Sequence, residues 1–364
     1  MEKDSFSTNM DVIPETQEPE ELKSSSKNNG EKVMRVLELA KLTEIRKDED
    51  AFSASLQDLT RDGAYRYLRM INGMLRGVNA KERGVRSNVR VGDHMAPDLN
   101  TQGIILKDTV EALKNIDNNH YRAALAYYTV NNLHLFADGN GRTSRAVYEI
   151  FDNPEFNLGS DEFMHKTSSS NESGSHAKFE KKHHIISTES AYANARFLFA
   201  EEWAKEDKID PGILKLPSRV EIIFGETPDI YLTEDAEQNL TAKEKKAINS
   251  AFHDGDIALL ALCRMLKIKG TSDAVMNESI RTKGDKQYIA IEVSKDDIDT
   301  GKPNVPAMHT FEGWTAEDYR TFVKGFRYIQ KTSQRVLNDI FMKPEEYKIS
   351  DGRTYAEWLT NTSN

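Results

Sequence analysis

The sequence predicts a mainly helical protein, and three observations support that fold class. Apolar residues recur at helical spacing in KVMRVLELAKL, which begins at residue 32, and in ILKDTVEALKNI at 105–116. The segment HYRAALAYYTVNNL, residues 120–133, is apolar on nearly every face, which is typical of a central, buried helix. Strand-like alternation is confined to short stretches, so we expect a helical bundle that carries a short β-hairpin.

The N-terminal part of the chain predicts a tail followed by helices. Residues 1–31 are rich in Glu, Ser, Asn and Pro with few large apolar side chains, so we expect a disordered tail. The stretch SLQDLTRDGAYRYLRMINGMLRG predicts one or two helices that stop near Gly77. In the next stretch, alternating valines before the turn pair Gly92-Asp93 predict the short hairpin.

Further helices and a long loop are expected after the central helix. TSRAVYEIFDN indicates a helix from about Asn140 to Phe151, and STESAYANARFLFAEEWAK indicates another. Between them, the polar residues 159–184 predict a long loop. IDPGILKLP is typical of a linker, so a domain boundary is expected near residue 209.

The C-terminal part predicts a second, mainly helical domain whose role the sequence does not indicate. Its helices are expected around 241–267 and 316–342, with a short hairpin near 287–293. The predicted organisation is therefore a tail, a helical domain with the hairpin, and an accessory helical domain, at residues 1–31, 32–208 and 209–364.

Composition excludes several classes of protein. The 364 residues include 49 Lys and Arg against 59 Asp and Glu, a net charge of −10, which argues against a general nucleic-acid binder. No apolar run approaches the ~20 residues of a membrane span, and the N-terminus lacks a signal-peptide core. The single cysteine, Cys263, cannot form an intrachain disulfide and is expected to be a buried thiol. A reducing, cytoplasmic location fits this usage.

One stretch, HLFADGNGRTSR at residues 134–145, brings two glycines, two arginines, an aspartate and a histidine into twelve positions. Gly139-Asn140-Gly141 gives a turn whose N–H groups can form an anion-binding nest, and the helix that follows adds its positive end. Arg142 and Arg145, three positions apart, are expected on one helix face and can bind phosphate oxygens. Together these residues, 139–145, predict a cradle for polyphosphate, called the phosphate cradle below.

Three residues before the cradle have expected roles of their own. Asp138 sits where a helix cap belongs, and its carboxylate beside a diphosphate would hold Mg²⁺. His134 ends the buried helix, where a neutral imidazole can take a proton from an attacking hydroxyl. Phe136 is expected in the core, where it would fix the loop.

This stretch resembles the signature of the Fic family, H-x-F-x-D/E-G-N-G-R-x-x-R. Every fixed position is filled, and the second position is Leu135, where the family most often has Pro. The likeness extends more loosely over about residues 60–200 and does not reach the C-terminal part. The matched positions are His134, Phe136, Asp138, Gly139, Asn140, Gly141, Arg142 and Arg145.

The resemblance implies a fold, a Fic-type helical bundle with a β-hairpin flap, and an activity, AMP transfer from ATP to a Ser, Thr or Tyr hydroxyl of a target protein. His134 would be the general base and Asp138 the Mg²⁺ ligand. The nest with Asn140, and Arg142, would hold the phosphates, while Arg145 would reach the γ-phosphate. The target would pair with the flap near residues 89–95 by strand addition.

Several alternatives stay open at this point. The stretch can be a polar turn before a helix, with solvated arginines. A Fic-like pocket can bind a nucleotide in a regulatory or scaffold protein without turnover, or move another phosphate-containing group, or remove AMP. A bacterial effector delivered into a host cell also fits a Fic domain joined to an unfamiliar domain, by analogy alone.

Other features have ordinary explanations as well. His94 is expected either in the flap or as an exposed loop residue, and His176, His183 and His184 as solvated loop residues. An inhibitory helix of the form S/T-x-x-x-E-G/N, which the family often carries, has two weak candidates, at residues 16–20 and 168–172. Neither fits well, so we expect Arg145 to be available for ATP.

Overall fold

The computed structural model describes residues 41–76, 89–91, 94–157, 175–207, 232–252, 254, 257–258, 261, 280–283, 286–289, 315–348 and 352–357. The predicted tail at 1–31, the linker after residue 208, Cys263 and both candidate inhibitory segments lie outside these ranges. From Leu42 onward the chain forms one compact unit.

The described chain is mainly helical, as the sequence predicts. The elements in chain order are α1 (Glu49–Gln57), α2 (Arg61–Arg76), β1 (Arg90–Val91), β2 (His94–Met95), α3 (Leu99–Lys114), α4 (Asn119–Leu133), α5 (Asn140–Asp152), α6 (Ser175–Lys182), α7 (Thr188–Asp207), α8 (Glu234–Asn239), α9 (Ala242–Phe252), β3 (Ile280–Lys283), β4 (Lys286–Ile289) and α10 (Ala316–Met342). None of the helices in these ranges is long and apolar enough to cross a membrane.

Helix α4 is the centre of the bundle, as its all-round apolar sequence predicts. Tyr127, Tyr128 and Leu125 are fully buried. The helix begins at a side-chain cap, since Asn118 accepts the N–H of Tyr121 at 3.1 Å. It packs most extensively against α5, so the two helices that flank the signature loop are held together along their length.

The last long helix, α10, occupies the residues predicted for it and packs against α3, α4 and α7. Its first turn carries a reciprocal cap between Thr315 and Asp318. Buried polar side chains fix its register, because Gln334 donates to Thr129 of α4 at 3.2 Å and accepts from Tyr192 of α7 at 2.5 Å. Part of the C-terminal sequence thus belongs to the core around α4.

Both predicted hairpins are present, with shifted limits for the second. β1 pairs antiparallel with β2, with Arg90 opposite Met95 and Val91 opposite His94, as the valine alternation predicts, while the predicted turn pair Gly92-Asp93 lies outside the described residues. The second hairpin pairs β3 with β4, with Ile280 opposite Ile289, so it begins earlier than the hairpin predicted near 287–293, whose residues 290–293 lie outside the described ranges.

The prediction of an uninterrupted loop over 159–184 is wrong at its end, where α6 forms. SHAKFEKK offers a single large apolar residue, Phe179, so it shows almost no hydrophobic periodicity. Tertiary contact supplies the stabilisation instead, because Phe179 stacks on Tyr127 at a centroid distance of 5.3 Å and packs edge-on against Tyr148.

Candidate active site

The signature loop connects the C-terminal end of α4 to the N-terminal end of α5. His134 is the C-cap of α4 and adopts a left-handed conformation, with φ 47° and ψ 52°. Its backbone N–H donates to the carbonyl of Val130 at 3.2 Å, and its side chain is half-buried. The turn that ends α4 therefore places the predicted base at the entrance to the loop.

The side chain of Asn140 stabilises the signature loop through two hydrogen bonds to the backbone of Phe136. Its Oδ1 accepts the backbone N–H of Phe136 at 2.9 Å, and its Nδ2 donates to the carbonyl of Phe136 at 2.7 Å. Phe136 is fully buried and Asn140 is 3% exposed, so both hydrogen bonds are shielded from water. The role of Asn140 in this structure is thus to hold the shape of the loop that precedes the cradle.

Gly139, not Asp138, is the N-cap of α5, which corrects the predicted cap. Gly139 has φ 80°, and a Cβ atom there would lie 2.9 Å from both Cδ of Arg76 and Nδ2 of Asn72. Asp138 instead accepts the N–H of Gly139 at 2.6 Å. The first-turn N–H groups of α5 have no acceptor within the helix, so they are left for a ligand.

Helix α2 supports the loop through two residues that sequence reasoning missed. The amide of Asn72, fully buried, donates to the carbonyl of Asp138 at 2.9 Å and to Oγ1 of Thr143 at 3.0 Å. One turn later, Nε of Arg76 lies 3.2 Å from Oδ2 of Asp138. Their i, i+4 spacing on one helix face was a signal, but nothing in the sequence indicates what that face contacts.

The predicted metal ligand, Asp138, lies between two arginines. Its Oδ2 is 3.2 Å from Arg76 and 3.4 Å from Arg142, and its side chain is 61% exposed. Each arginine side chain is 20% exposed, so the pairs are partly open to solvent, and ion pairs open to solvent contribute little to stability. The carboxylate is therefore accessible, and both arginines can turn to an anion that binds beside it.

Arg145 differs from Arg142 in being buried. It is 7% exposed, and its Nη1 is buried without a hydrogen-bond partner among the described residues. Burial is the main cause that lowers the pKa of the guanidinium; Tyr127 acts to raise it, and the positive charge of Arg142 acts to lower it. Within the described ranges Arg145 forms no ion pair, so its charge is desolvated and uncompensated beside the first turn of α5.

The flap is anchored to the C-terminal part of the chain. Asp254, 3% exposed, accepts the backbone N–H of Met95 at 3.1 Å and lies 3.0 Å from Nδ1 of His94. Gln330 of α10 donates to the carbonyl of Met95 at 2.9 Å. Of the two expectations for His94, the structure supports a flap residue, and the anchoring side chains come from far along the chain.

The other histidines are not all solvated loop residues. His183 lies 3.2 Å from Glu149 and packs edge-on against Tyr148, whereas His184 is exposed and lies outside the helices, as predicted. His176, although accessible to solvent, lies in α6 and its ring contacts Gly141 of the cradle. These placements depend on α6, which hydrophobic periodicity does not reveal.

A match to a known protein family covers the part of the chain that carries the signature loop. The model of the Fic/DOC family matches residues 62–151, which run from α2 through the end of α5. The chain contains a Fic domain. No curated protein and no solved structure matches the chain. The Fic domain includes the signature loop, Asn72 and Arg76, whereas α6, α7 and α10 lie outside the matched residues.

Proposed function

We propose that this protein is an adenylyltransferase that transfers AMP from ATP to a hydroxyl side chain of a target protein. The observation that carries the proposal is the buried guanidinium of Arg145 beside the first turn of α5, which has no counter-charge within the described ranges. A desolvated cation at a helix N-terminus is costly by itself and is stabilised when an anion binds there. A nucleotide polyphosphate supplies such an anion.

The remaining charges of the site suit a chain of phosphates. Arg142 and Arg76 both contact Asp138, which immediately precedes the N-cap of α5. A bound polyphosphate would draw these two arginines onto its oxygens, where each can make charge-assisted hydrogen bonds. Gly139 and Gly141 allow the side chains of Arg76 and His176 to lie directly against the main chain of the cradle, so polar and charged groups border it on two sides.

The proposed reaction uses His134 as general base. The target hydroxyl oxygen attacks the α-phosphorus of ATP, the bond from that phosphorus to the α,β-bridging oxygen breaks, and pyrophosphate leaves. His134 accepts the hydroxyl proton, and the arginines stabilise the charge that develops on the phosphate oxygens. Catalysis of this kind rests mainly on positioning, which the Asn140 and Asn72 hydrogen bonds provide.

Asp138 would hold Mg²⁺ in the loaded enzyme. Within the described residues no group of three His, Cys, Asp or Glu side chains is placed to hold a metal ion. One carboxylate suffices for Mg²⁺ when phosphates and waters complete the coordination, and Asp138 is exposed enough to serve. The ion would supply charge neutralisation for the phosphates, and Arg76 and Arg142 would release the carboxylate as they turn to the nucleotide.

The flap indicates how a target segment would dock. Ala96 donates to Val89 across the hairpin, whereas the N–H and carbonyl of Met95 point to Asp254 and Gln330. Because these side chains occupy the outer edge of β2, we propose that an extended target segment adds to β1.

The test is transfer of label from α-³²P-ATP with Mg²⁺ to proteins of a cell lysate. The variant His134→Asn removes the base and keeps the left-handed conformation, which Asn tolerates. Its matched control is His184→Asn, because His184 also has a positive φ, 53°, among the residues that the structure describes. We expect labelled bands with the wild type and the control, and none with His134→Asn.

Two outcomes would contradict the proposal. Label that persists in His134→Asn would remove His134 from the chemistry. ATP binding without any transfer would favour the alternative, a Fic-like module that binds a nucleotide without turnover.

A further inference from the structure

The phosphate cradle has a neighbour that the Fic family match does not include. His176 lies in the first turn of α6 and its ring rests against Gly141. A Cβ atom on Gly141 would lie 2.6 Å from Nε2 of His176 and 3.4 Å from Nη1 of Arg145. Nε2 and the buried guanidinium nitrogen therefore border the same face of the first turn of α5.

Two hydrogen bonds fix the tautomer of His176. A carboxylate oxygen only accepts, so Oε1 of Glu180 accepts the hydroxyl proton of Tyr127 at 3.1 Å, as it accepts the N–H of Thr188 at 3.1 Å. The oxygen of Tyr127 is then left to accept from Nδ1 of His176, at 2.8 Å. With its proton on Nδ1, a neutral His176 presents the lone pair of Nε2 toward Gly141 and Arg145.

Burial and a neighbouring positive charge favour the neutral form of His176 while no anion is present. Partial burial of the ring and the positive charge of Arg145 lower the pKa of His176 to about 4. The groups that face it from the packed elements are Tyr127 of α4, Arg145 of α5 and, through Tyr127, Glu180 of α6. An anion at this point would cancel the repulsion from Arg145 and favour the imidazolium.

The N-terminal ends of α5 and α6 also favour a bound anion beside His176. The first turns of α5 and α6 meet where His176 contacts Gly141, so two positive dipole ends and a guanidinium share one place. Such a cluster repels itself unless an anion lies within it. His176 is also accessible to solvent, so a ligand can reach it.

We propose that His176 is a phosphate-binding residue of the cradle: together with Arg145 it holds one phosphoryl group of the nucleotide, and it takes up a proton from solvent as that group binds. Nε2 then donates to a phosphate oxygen, while Nδ1 keeps its hydrogen bond to Tyr127. The Glu180 carboxylate, relayed through the Tyr127 hydroxyl, stabilises the imidazolium. This inference rests on the phosphate site of the proposed function but does not require turnover.

The test is calorimetric titration of the full-length protein with Mg-ATP and, separately, with inorganic tripolyphosphate. Each titration is run in two buffers of different ionisation enthalpy at the same pH, which measures proton uptake. We compare the wild type with His176→Gln and with the control His184→Asn. We expect His176→Gln to bind both ligands about tenfold more weakly and to lose proton uptake, because it lacks one charge-assisted hydrogen bond.

Three results would overturn the inference. Unchanged affinity and proton uptake in His176→Gln would show that the imidazole does not contact the ligand. Tighter binding would show that it obstructs the site, and weaker binding of ATP alone would place the contact on the base or sugar. If the wild type binds neither ligand, the proposed function fails as well, whereas His176-dependent binding without AMP transfer supports this inference alone.

Discussion

The side-chain amide of Asn140 hydrogen-bonds both backbone groups of Phe136, four residues earlier, at 2.9 and 2.7 Å. This pair of hydrogen bonds closes the loop between α4 and α5, just before the first turn of α5. The signature therefore contains residues for shape as well as residues for chemistry, and the two kinds respond differently to substitution.

The variant Asn140→Ala tests the two hydrogen bonds between the Asn140 side chain and the backbone of Phe136. It leaves two buried backbone groups of Phe136 without partners, so we expect unfolding free energy to fall by about 1–3 kcal/mol and ATP affinity to fall as well. Urea denaturation and calorimetry measure the two effects. The control Asn115→Ala removes an exposed side-chain bond to Glu111 and should change neither quantity. Equal effects in the two variants would show that the hydrogen bonds of Asn140 to Phe136 do not hold the loop in place.

Gly139→Ala tests the close approach of α2 to the cradle. Left-handed backbone alone costs an alanine about 1 kcal/mol. Gly352→Ala provides the control, because Gly352 has φ 89° and a Cβ added there would have no atom within 4 Å, whereas one on Gly139 would meet Arg76 and Asn72 at 2.9 Å. We expect Gly139→Ala to lower the melting temperature further than Gly352→Ala. Equal decreases in melting temperature would mean that the α2 side chains move aside for the added methyl group.

Two buried arginines should respond in opposite directions to replacement by Met. Arg145 is uncompensated by the described residues, so Arg145→Met should raise unfolding free energy by about 1 kcal/mol and abolish ATP binding. Arg46, 3% exposed, donates to the carbonyls of Ile150 and Phe151 at 2.8 and 2.7 Å. Arg46→Met should therefore destabilise by about 2 kcal/mol. A loss of stability in Arg145→Met would show that its charge is compensated in the folded protein.

Low pH should weaken the contacts by which the Asp254 carboxylate holds Met95 and His94 of the flap. Burial acts to raise the pKa of this carboxyl, but the hydrogen bond and charge of His94, together with the charge of Arg196 and the N–H of Met95, hold the pKa below its usual 3.8. A carboxyl with a lowered pKa stabilises the fold above pH 3.8 and loses that contribution as pH falls through the lowered value. We expect Asp254→Asn to cost most near neutral pH and less below about pH 4.

Urea unfolding of both proteins at several pH values measures this difference. The control Glu111→Gln removes an exposed ion pair with Lys114 and should be near neutral throughout. A cost of Asp254→Asn that stays constant from neutral pH to pH 3 would contradict the assigned charge state.

Sequence reasoning succeeded where local pattern decides the structure. The limits of α5 and α10 follow from apolar periodicity, and the signature loop follows from its glycines and its flanking helices. It failed where contacts between distant residues decide. Helix α6 depends on Phe179 stacking on Tyr127, and the support of Asp138 by Asn72 joins residues 66 positions apart. The flap anchor at Asp254 lies 159 positions from Met95, beyond any local signal.

The central claim, that this Fic domain transfers AMP, is tested most directly by parallel reactions with α-³²P-ATP and γ-³²P-ATP on the same lysate. Transfer of AMP places label on protein from the α-labelled nucleotide only, since the γ-phosphate leaves with pyrophosphate. We expect that result, with the signal lost in His134→Asn. Label from γ-³²P-ATP that also depends on His134 would contradict the account and identify phosphoryl transfer instead.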